Sequence, residues 1–122
     1  MEVNELTERI IGAAIEVHRV LGPGLLEEIY RDALAVEFEL RGIRFAKECT
    51  FPVIYKEHDL GRRRIDLIVE DTVIVELKSV ERMGPVFEAQ ILSYLKLTGK
   101  KIGLLINFNS RLVKDGIKRF VW

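Results

Sequence analysis

The sequence has few of the residues that mark specialised classes of protein. It contains one cysteine, Cys49, three prolines and nine glycines in 122 residues. A single cysteine excludes an internal disulfide and fits a reducing compartment. Low proline and glycine content excludes collagen-like and low-complexity chains. No apolar run reaches the ~18 residues of a membrane span, and the acidic start differs from a signal peptide. We therefore expect a soluble, cytoplasmic protein that is not bound to a membrane.

The chain also has no net charge and no room for a second domain. Nineteen basic and nineteen acidic residues cancel, so no overall field draws the protein to nucleic acid or anionic lipid. Contact with nucleic acid would need a local basic patch. A chain of this length is typical of one domain with its own core, and we expect residues 1–122 to form it.

Apolar spacing predicts three helices. The first runs from about Asn4, its N-cap, to Leu21. The second runs from about Leu25 to Arg41 and ends at Gly42. The third spans Pro85 to Thr98 between two glycines. The second helix is expected to bury a stripe of five apolar residues, namely Leu26, Ile29, Ala33, Val36 and Leu40.

Extended patterns fill the rest of the chain. Four strands are expected before the third helix: Ile43 to Lys47, Phe51 to Glu57, Leu60 to Glu70 and Val73 to Ser79. After that helix, Ile102 to Ile106 predicts a buried strand. Asp115-Gly116, between Leu112-Val113 and Ile117 to Val121, predicts a hairpin. The order ααββββαβββ indicates an α/β (α+β) fold, a mixed central sheet flanked by helices.

The stretch from Arg64 to Lys78 predicts a hairpin with two possible registers. A two-residue turn would place Asp66 opposite Leu77 and mix charge into an apolar face. An odd-numbered loop centred on Asp71 places Asp66 opposite Glu76 instead. We predict the odd loop, because it leaves one face wholly aliphatic. The residues of that face are Ile65, Leu67, Val69, Val73, Val75 and Leu77.

This register brings two carboxylates and an amine together. Cross-strand Cβ atoms lie ~5 Å apart, and Lys78 follows Glu76 by two residues. Two buried like charges repel, so one protonates unless a cation lies between them. Oxygen ligands favour Mg²⁺, with Mn²⁺ able to replace it, over Zn²⁺. The alternative is that Asp66, Glu76 and Lys78 form a solvated polar face with a surface ion pair.

Two motifs resemble a nuclease superfamily. Asp66, followed by Glu76-Leu77-Lys78, resembles the Asp…(Asp/Glu)-x-Lys signature of the PD-(D/E)xK nucleases, with Ile65 in place of the usual proline. Gln90-Ile-Leu-Ser-Tyr94 is similar to the Gln-x-x-x-Tyr of its exonuclease-like branches. The resemblance implies a restriction-endonuclease-like core.

A third motif resembles one small prokaryotic branch of that superfamily. Gly24-Leu-Leu-Glu27-Glu-Ile-Tyr30 resembles the Gly-x-x-Glu-x-x-Tyr motif of the GxxExxY protein family. His18 before the Gly-Pro-Gly turn, the two opening helices and the strand order also resemble this family. The resemblance therefore spans most of the chain.

The resemblance implies a role for each matching residue. Asp66, Glu76 and the Leu77 backbone carbonyl would bind the metal, with Glu27 binding it directly or through water. Lys78 would be the catalytic lysine, and Gln90 and Tyr94 would orient Lys78 or a phosphate. His18 and Tyr30 would support the site.

Each of these residues also has a structural reading. Glu27 lies in the first turn of a helix, where the helix dipole favours any carboxylate. In this reading His18 caps the last carbonyls of the first helix, and Tyr30 belongs to the core. Arg62, Arg63 and Arg64 enter the hairpin beside Asp66; they would contact phosphates or form a solvated strand end.

We therefore expect a Mg²⁺-dependent phosphodiesterase that hydrolyses nucleic acid, DNA rather than RNA, by direct attack of water. A homodimer is expected because so small a chain covers little DNA, and the edge strand from Ile117 to Trp122 offers a pairing surface. The alternatives are a non-catalytic module that binds nucleic acid or protein, and a hydrolase of small phosphoesters.

Overall fold

A five-stranded mixed sheet organises the fold in the computed structural model, which describes residues 1–122. Strands β1 to β5 lie side by side in sequence order, and only β3 and β4 are parallel. The parallel pair is joined by helix α3, which makes the crossover that parallel strands need. The strands are β1 (Phe45–Tyr55), β2 (His58–Val69), β3 (Val73–Lys78), β4 (Ile102–Asn107) and β5 (Ile117–Val121). The helices are α1 (Val3–Leu21), α2 (Glu27–Leu40) and α3 (Pro85–Thr98).

Helices cover both faces of this sheet. Helices α1 and α2 pack against one face over a core that includes Leu67, Val75 and Leu77. Helix α3 packs against the other face, over Ile74 and Leu105. This arrangement confirms the predicted α+β architecture of a mixed sheet between helices. No helix has both the length and the apolar character that crossing a bilayer requires.

The helix ends follow local chemistry. Helix α3 begins with Pro85 at its first turn and ends before Gly99, as predicted. Gly42 follows α2 with φ 69°; its N–H donates to the Glu39 carbonyl and that of Ile43 to the Phe38 carbonyl, a Schellman ending. The predicted N-cap Asn4 is wrong. The carboxylate of Glu2 caps α1 instead and accepts hydrogen bonds from two backbone N–H groups.

The predicted buried face of α2 is wrong. The helix buries Tyr30, Leu34, Ala35 and Phe38, while most of the predicted stripe remains in solvent, with Leu26, Ile29, Val36 and Leu40 exposed. The helix has two apolar faces, and the aromatic one gains more from burial. The Tyr30 ring stacks on that of Phe108, with centroids 4.5 Å apart.

Two strand predictions are also wrong. The first two predicted strands form one continuous strand, β1, whose register shifts between Pro52 and Ile54. Pro52 is tolerated because β1 lies at the edge of the sheet. The predicted C-terminal hairpin does not form, since Val113–Gly116 is a 3₁₀ turn and β5 pairs with β4. A Cβ on Gly116 would lie 2.5 Å from the Asn107 carbonyl oxygen, so this glycine permits close backbone approach.

Candidate active site

The register of the β2–β3 hairpin is the predicted one. Leu67 pairs with Val75, Ile68 with Ile74 and Val69 with Val73, which centres the connecting loop on Asp71. Glu70 and Asp71 both have positive φ in this loop. Continued by one residue, the register sets Asp66 opposite Glu76.

The backbone hydrogen bonding between β2 and β3 is interrupted at Asp66 and Glu76. The backbone N–H of Asp66 donates to Glu76 Oε2 at 3.4 Å, and Asp66 Oδ2 accepts from the Leu77 N–H at 2.9 Å. On the other side of β2, pairing passes from Lys47–Leu67 to Cys49–Ile65 and skips Asp66. Carboxylates thus replace ladder hydrogen bonds at this point, and they converge as the sequence predicts.

The alternation of β2 breaks at the same residue. Leu67 packs in the core under α1 and α2, whereas Ile65 packs under α3. The skipped residue opposite Asp66 is Glu48, which has φ 53°. The expected aliphatic face is therefore wrong at Ile65, because period-two patterning does not register an interruption of strand pairing, which here coincides with the positive φ of Glu48 on the neighbouring strand.

The state in which Asp66 and Glu76 are both ionised is electrostatically unfavourable. Glu76 is only 4% exposed. Burial, and then the hydrogen bond and negative charge of Asp66, raise the pKa of Glu76 to about 9, while Lys78 acts in the opposite direction. Glu76 therefore holds its proton at neutral pH unless a further cation enters.

The donor set fits a hard cation that keeps much of its own water. No three His, Cys, Asp or Glu side chains are gathered as a ready-made metal centre. Asp66 and Glu76 supply two carboxylates on adjacent strands. One or two carboxylates, with water and substrate phosphate completing the shell, are the usual ligands of Mg²⁺.

Lys78 lies on the α3 side of the site. Its Nζ is 4.7 Å from the centre of the Phe87 ring, and both residues line a cleft with Gln90 and Ser93. Gln90 Nε2 donates to the Tyr94 hydroxyl at 3.0 Å. The structure therefore brings the predicted lysine, glutamine and tyrosine into one neighbourhood.

Glu27 lies in a second cleft of about 340 Å³ that also includes Asp66. A tether fixes this end of α2, because the Ser79 hydroxyl donates to the Leu25 carbonyl at 2.6 Å. The strand that carries Glu76 and Lys78 is thereby held against the start of α2. Buried Glu76 interacts with a residue of each cleft, since it accepts a hydrogen bond from Asp66 and its pKa is affected by the charge of Lys78.

Arg64 is the one residue of the arginine run that lines the Asp66 cleft. Arg62 donates to the Thr50 hydroxyl, and Arg63 donates to the carbonyl of Arg62; both arginines lie on the exposed part of the β1–β2 hairpin. The structure therefore separates three residues that the sequence analysis treats as one patch.

Arg31 is a cleft residue that the sequence analysis misses. Its side chain is 14% exposed, and Nη2 lies 3.0 Å from Glu48. Its Nε is buried without a hydrogen-bond partner. Arg64 approaches the same Glu48 carboxylate at 3.9 Å. Only one feature of the sequence indicates that Arg31 lines the cleft: it follows Glu27 by four residues and so lies on the same face of the helix.

His18 and Tyr30 hold different segments of backbone. His18 Nε2 lies 2.9 Å from the Ser110 carbonyl oxygen, in the segment that follows β4. The Tyr30 hydroxyl donates to the Gly22 carbonyl and accepts from the Leu25 N–H, so it sets the path of the loop that leads to Glu27. Both contacts are structural, and neither side chain is bonded to the acid pair.

Comparison with known families gives one match. A family model described as the PD-(D/E)XK nuclease superfamily matches residues 4–120. Neither a curated protein sequence nor a solved structure gives a significant match. The matched range covers every element from α1 to β5 apart from Val3 and Val121 at the two ends, and it includes all the acidic and basic residues of both clefts.

Proposed function

The chain belongs to the PD-(D/E)XK nuclease superfamily, and from that premise we propose that it is a Mg²⁺-dependent nuclease that hydrolyses phosphodiester bonds in DNA. The observation that carries the proposal is the convergence of Asp66 and Glu76 at the open end of the β2–β3 ladder. The narrower resemblance to the GxxExxY family stays a prediction.

The metal would be held by Asp66, Glu76 and the Leu77 backbone carbonyl, with Glu27 reaching it through water from the cleft that it shares with Asp66. When bound, Mg²⁺, or Mn²⁺ in its place, supplies Lewis-acid polarisation of the phosphate and activation of a water. Glu76 must release its proton for this role, because it accepts metal only as a carboxylate.

Lys78 would position the attacking water or take its proton, and would stabilise charge that develops on the phosphate. Its contact with the Phe87 ring keeps the ammonium group on the α3 side of the site. Gln90, held by Tyr94, would orient Lys78 or a phosphate oxygen.

Substrate contacts would come from the arginines. Arg31 and Arg64 would bind phosphates beside Asp66, in exchange for their ion pairs with Glu48. Arg62 and Arg63 would contact phosphates further along the β1–β2 hairpin. Contacts of this kind give salt-dependent affinity even in a protein with no net charge. We propose that the protein works as a cytoplasmic homodimer.

A second candidate function is a non-catalytic module that binds nucleic acid or protein. Two observations favour it: the net charge is zero, and Lys78 and Asp66 line different clefts. Cleavage assays separate the two functions, because a module would bind DNA without cutting it.

The test is hydrolysis of supercoiled plasmid and of single-stranded DNA with Mg²⁺ and with Mn²⁺. The nuclease proposal predicts cleavage that a chelator stops and that Asp66→Asn abolishes. Glu57→Gln, at an exposed acid in the turn between β1 and β2, is the matched control and should cleave normally. Retention of DNA without cleavage would favour the module, and cleavage by Asp66→Asn at the normal rate would refute the assigned site.

A further inference from the structure

Helix α2 and its N-cap residue Leu26 present an apolar stripe that is largely exposed. Leu26, Ile29, Val36 and Leu40 are 65%, 41%, 56% and 77% exposed. Ala33, which is partly buried against the core, completes the row. The intervals between these residues are three, four, three and four. That spacing is the heptad pattern of a helix that packs along another helix.

The stripe continues onto α1 to form a larger patch. Val20 and Leu21 are exposed beside it, and a groove of about 230 Å³ runs between the helices past Ala33. Full burial of one large aliphatic side chain removes roughly 100 Å² from water, so the exposed fractions of these residues offer on the order of 340 Å² of apolar surface. Apolar atoms make up roughly 60% of an interface. The patch therefore suits an interface of roughly 570 Å² per partner, at the small end of the range for specific association.

We propose that this patch is the interface with a second copy of the chain, with the two α2 helices antiparallel about a two-fold axis beside Ala33. The stripe has the same order of sizes from either end. Leu26 would meet the partner's Leu40, Ile29 would meet the partner's Val36, and Ala33 would meet the partner's Ala33. A self-complementary surface is what a two-fold interface requires.

The helix dipoles favour the antiparallel arrangement over the parallel one. The first turn of α2 carries Glu27 and Glu28, and its last turn carries no basic residue. Arg41, which follows the last turn, is paired with Glu37. An antiparallel pair places the dipoles head to tail, so that they attract, whereas a parallel pair would align the Glu28 side chains and oppose the dipoles.

Three of the acids that flank the stripe are paired within the protomer. Glu37 is paired with Arg41 at 2.6 Å, and Glu16 with Arg19 at 2.8 Å. Asp32 lies 3.3 Å from Lys47. These ion pairs offset part of the negative charge along the edge of the stripe, while the exposed acids Glu28 and Glu39 form no ion pair.

The interface also fixes where the two candidate sites lie. Leu26 lines the Asp66 cleft, so each cleft lies at one end of the helix pair. Fourteen residues separate Leu26 from Leu40, which corresponds to ~21 Å along the helix axis. If the protein is the proposed nuclease, this distance between the two clefts suits the two strands of one DNA duplex. The proposed dimer does not depend on that function, because its test measures molecular mass.

Sedimentation equilibrium over a dilution series tests the interface. The wild-type chain should have twice the protomer mass of 14.1 kDa, and Val36→Glu and Leu40→Glu should each weaken association at least 100-fold with an unchanged circular dichroism spectrum. Val121→Glu, at an equally exposed position on the β5 edge, should leave the dimer intact. A wild-type monomer, a heterologous partner only, or dissociation by Val121→Glu but not by Val36→Glu would overturn the proposal.

Disulfide cross-linking in a Cys49→Ser background tests the orientation. Ala33→Cys should cross-link to itself under mild oxidant. A mixture of Leu26→Cys and Leu40→Cys chains should give the mixed species, whereas Leu26→Cys alone should give little. Efficient cross-linking of Leu26→Cys alone would show a parallel pair and overturn the arrangement. Neither measurement requires nuclease activity.

Discussion

The backbone N–H of Asp66 points at the Glu76 carboxylate from 3.4 Å away, at the place where the β2–β3 ladder opens. Asp66 in turn accepts from the Leu77 N–H. Backbone atoms therefore fix the position of both acids, and their side chains satisfy amides that a regular ladder would have paired. The local fold brings Asp66 and Glu76 close together, although their carboxylates repel each other when both are ionised.

The first prediction concerns stability against pH. With a chelator present, the free energy of unfolding should fall as pH rises from about 5 to about 9. Over that range folded Glu76, with its pKa raised to about 9, keeps a proton that the unfolded chain has released. The slope should reach at most about 1.4 kcal/mol per pH unit.

Glu76→Gln should remove this dependence, because the amide carries no charge in either state. It should therefore unfold at a higher denaturant concentration than wild type at pH 8 and at a similar one near pH 4. Chemical denaturation at a series of pH values measures both effects. Equal pH slopes in the wild type and the variant would show that Glu76 titrates normally.

The second prediction concerns Lys78. Lys78→Met should lower the rate of DNA cleavage by about 10²- to 10⁴-fold, the range typical of a lost proton-transfer group, and should leave metal affinity within a few-fold. The matched control is Lys56→Met. Lys56 lies in the turn between β1 and β2, and its ammonium group also lies over an aromatic ring, that of Tyr55. An equal loss in both variants would indicate a general effect of charge on DNA binding.

The third prediction concerns Arg31. Arg31→Gln in an Asp66→Asn background should weaken DNA binding and reduce the slope of log affinity against log salt by about one, as expected for one lost phosphate contact. Arg19→Gln, an exposed arginine paired with Glu16 on α1, should leave the slope unchanged. Fluorescence anisotropy over a salt series measures it. An unaltered slope in Arg31→Gln would mean that Arg31 serves only the ion pair with Glu48.

Local patterning was sufficient to predict much of this fold. The aliphatic alternation around Asp71 was enough to set the hairpin register, and Gly42, Pro85 and Gly99 were enough to place helix ends. Each of these features depends on neighbours in sequence.

The features that could not be predicted depend on distant partners. Which face of α2 is buried depends on Phe108, which stacks on Tyr30. The break at Asp66 coincides with the positive φ of Glu48 on another strand. Arg31 joins the site because α2 packs beside β3, where the Ser79 hydroxyl also donates to the Leu25 carbonyl. No periodicity within one segment carries this information.

The most direct test of the acid pair counts the protons released when Mg²⁺ binds. Titration calorimetry at pH 7.5 in two buffers of different ionisation enthalpy gives that number. The wild-type protein should bind one Mg²⁺ per chain and release about one proton, supplied by Glu76, because its pKa of about 9 leaves it protonated before the metal enters. Glu76→Gln should release none. Mg²⁺ binding without proton release in the wild type, or undiminished binding by Asp66→Asn, would contradict the account.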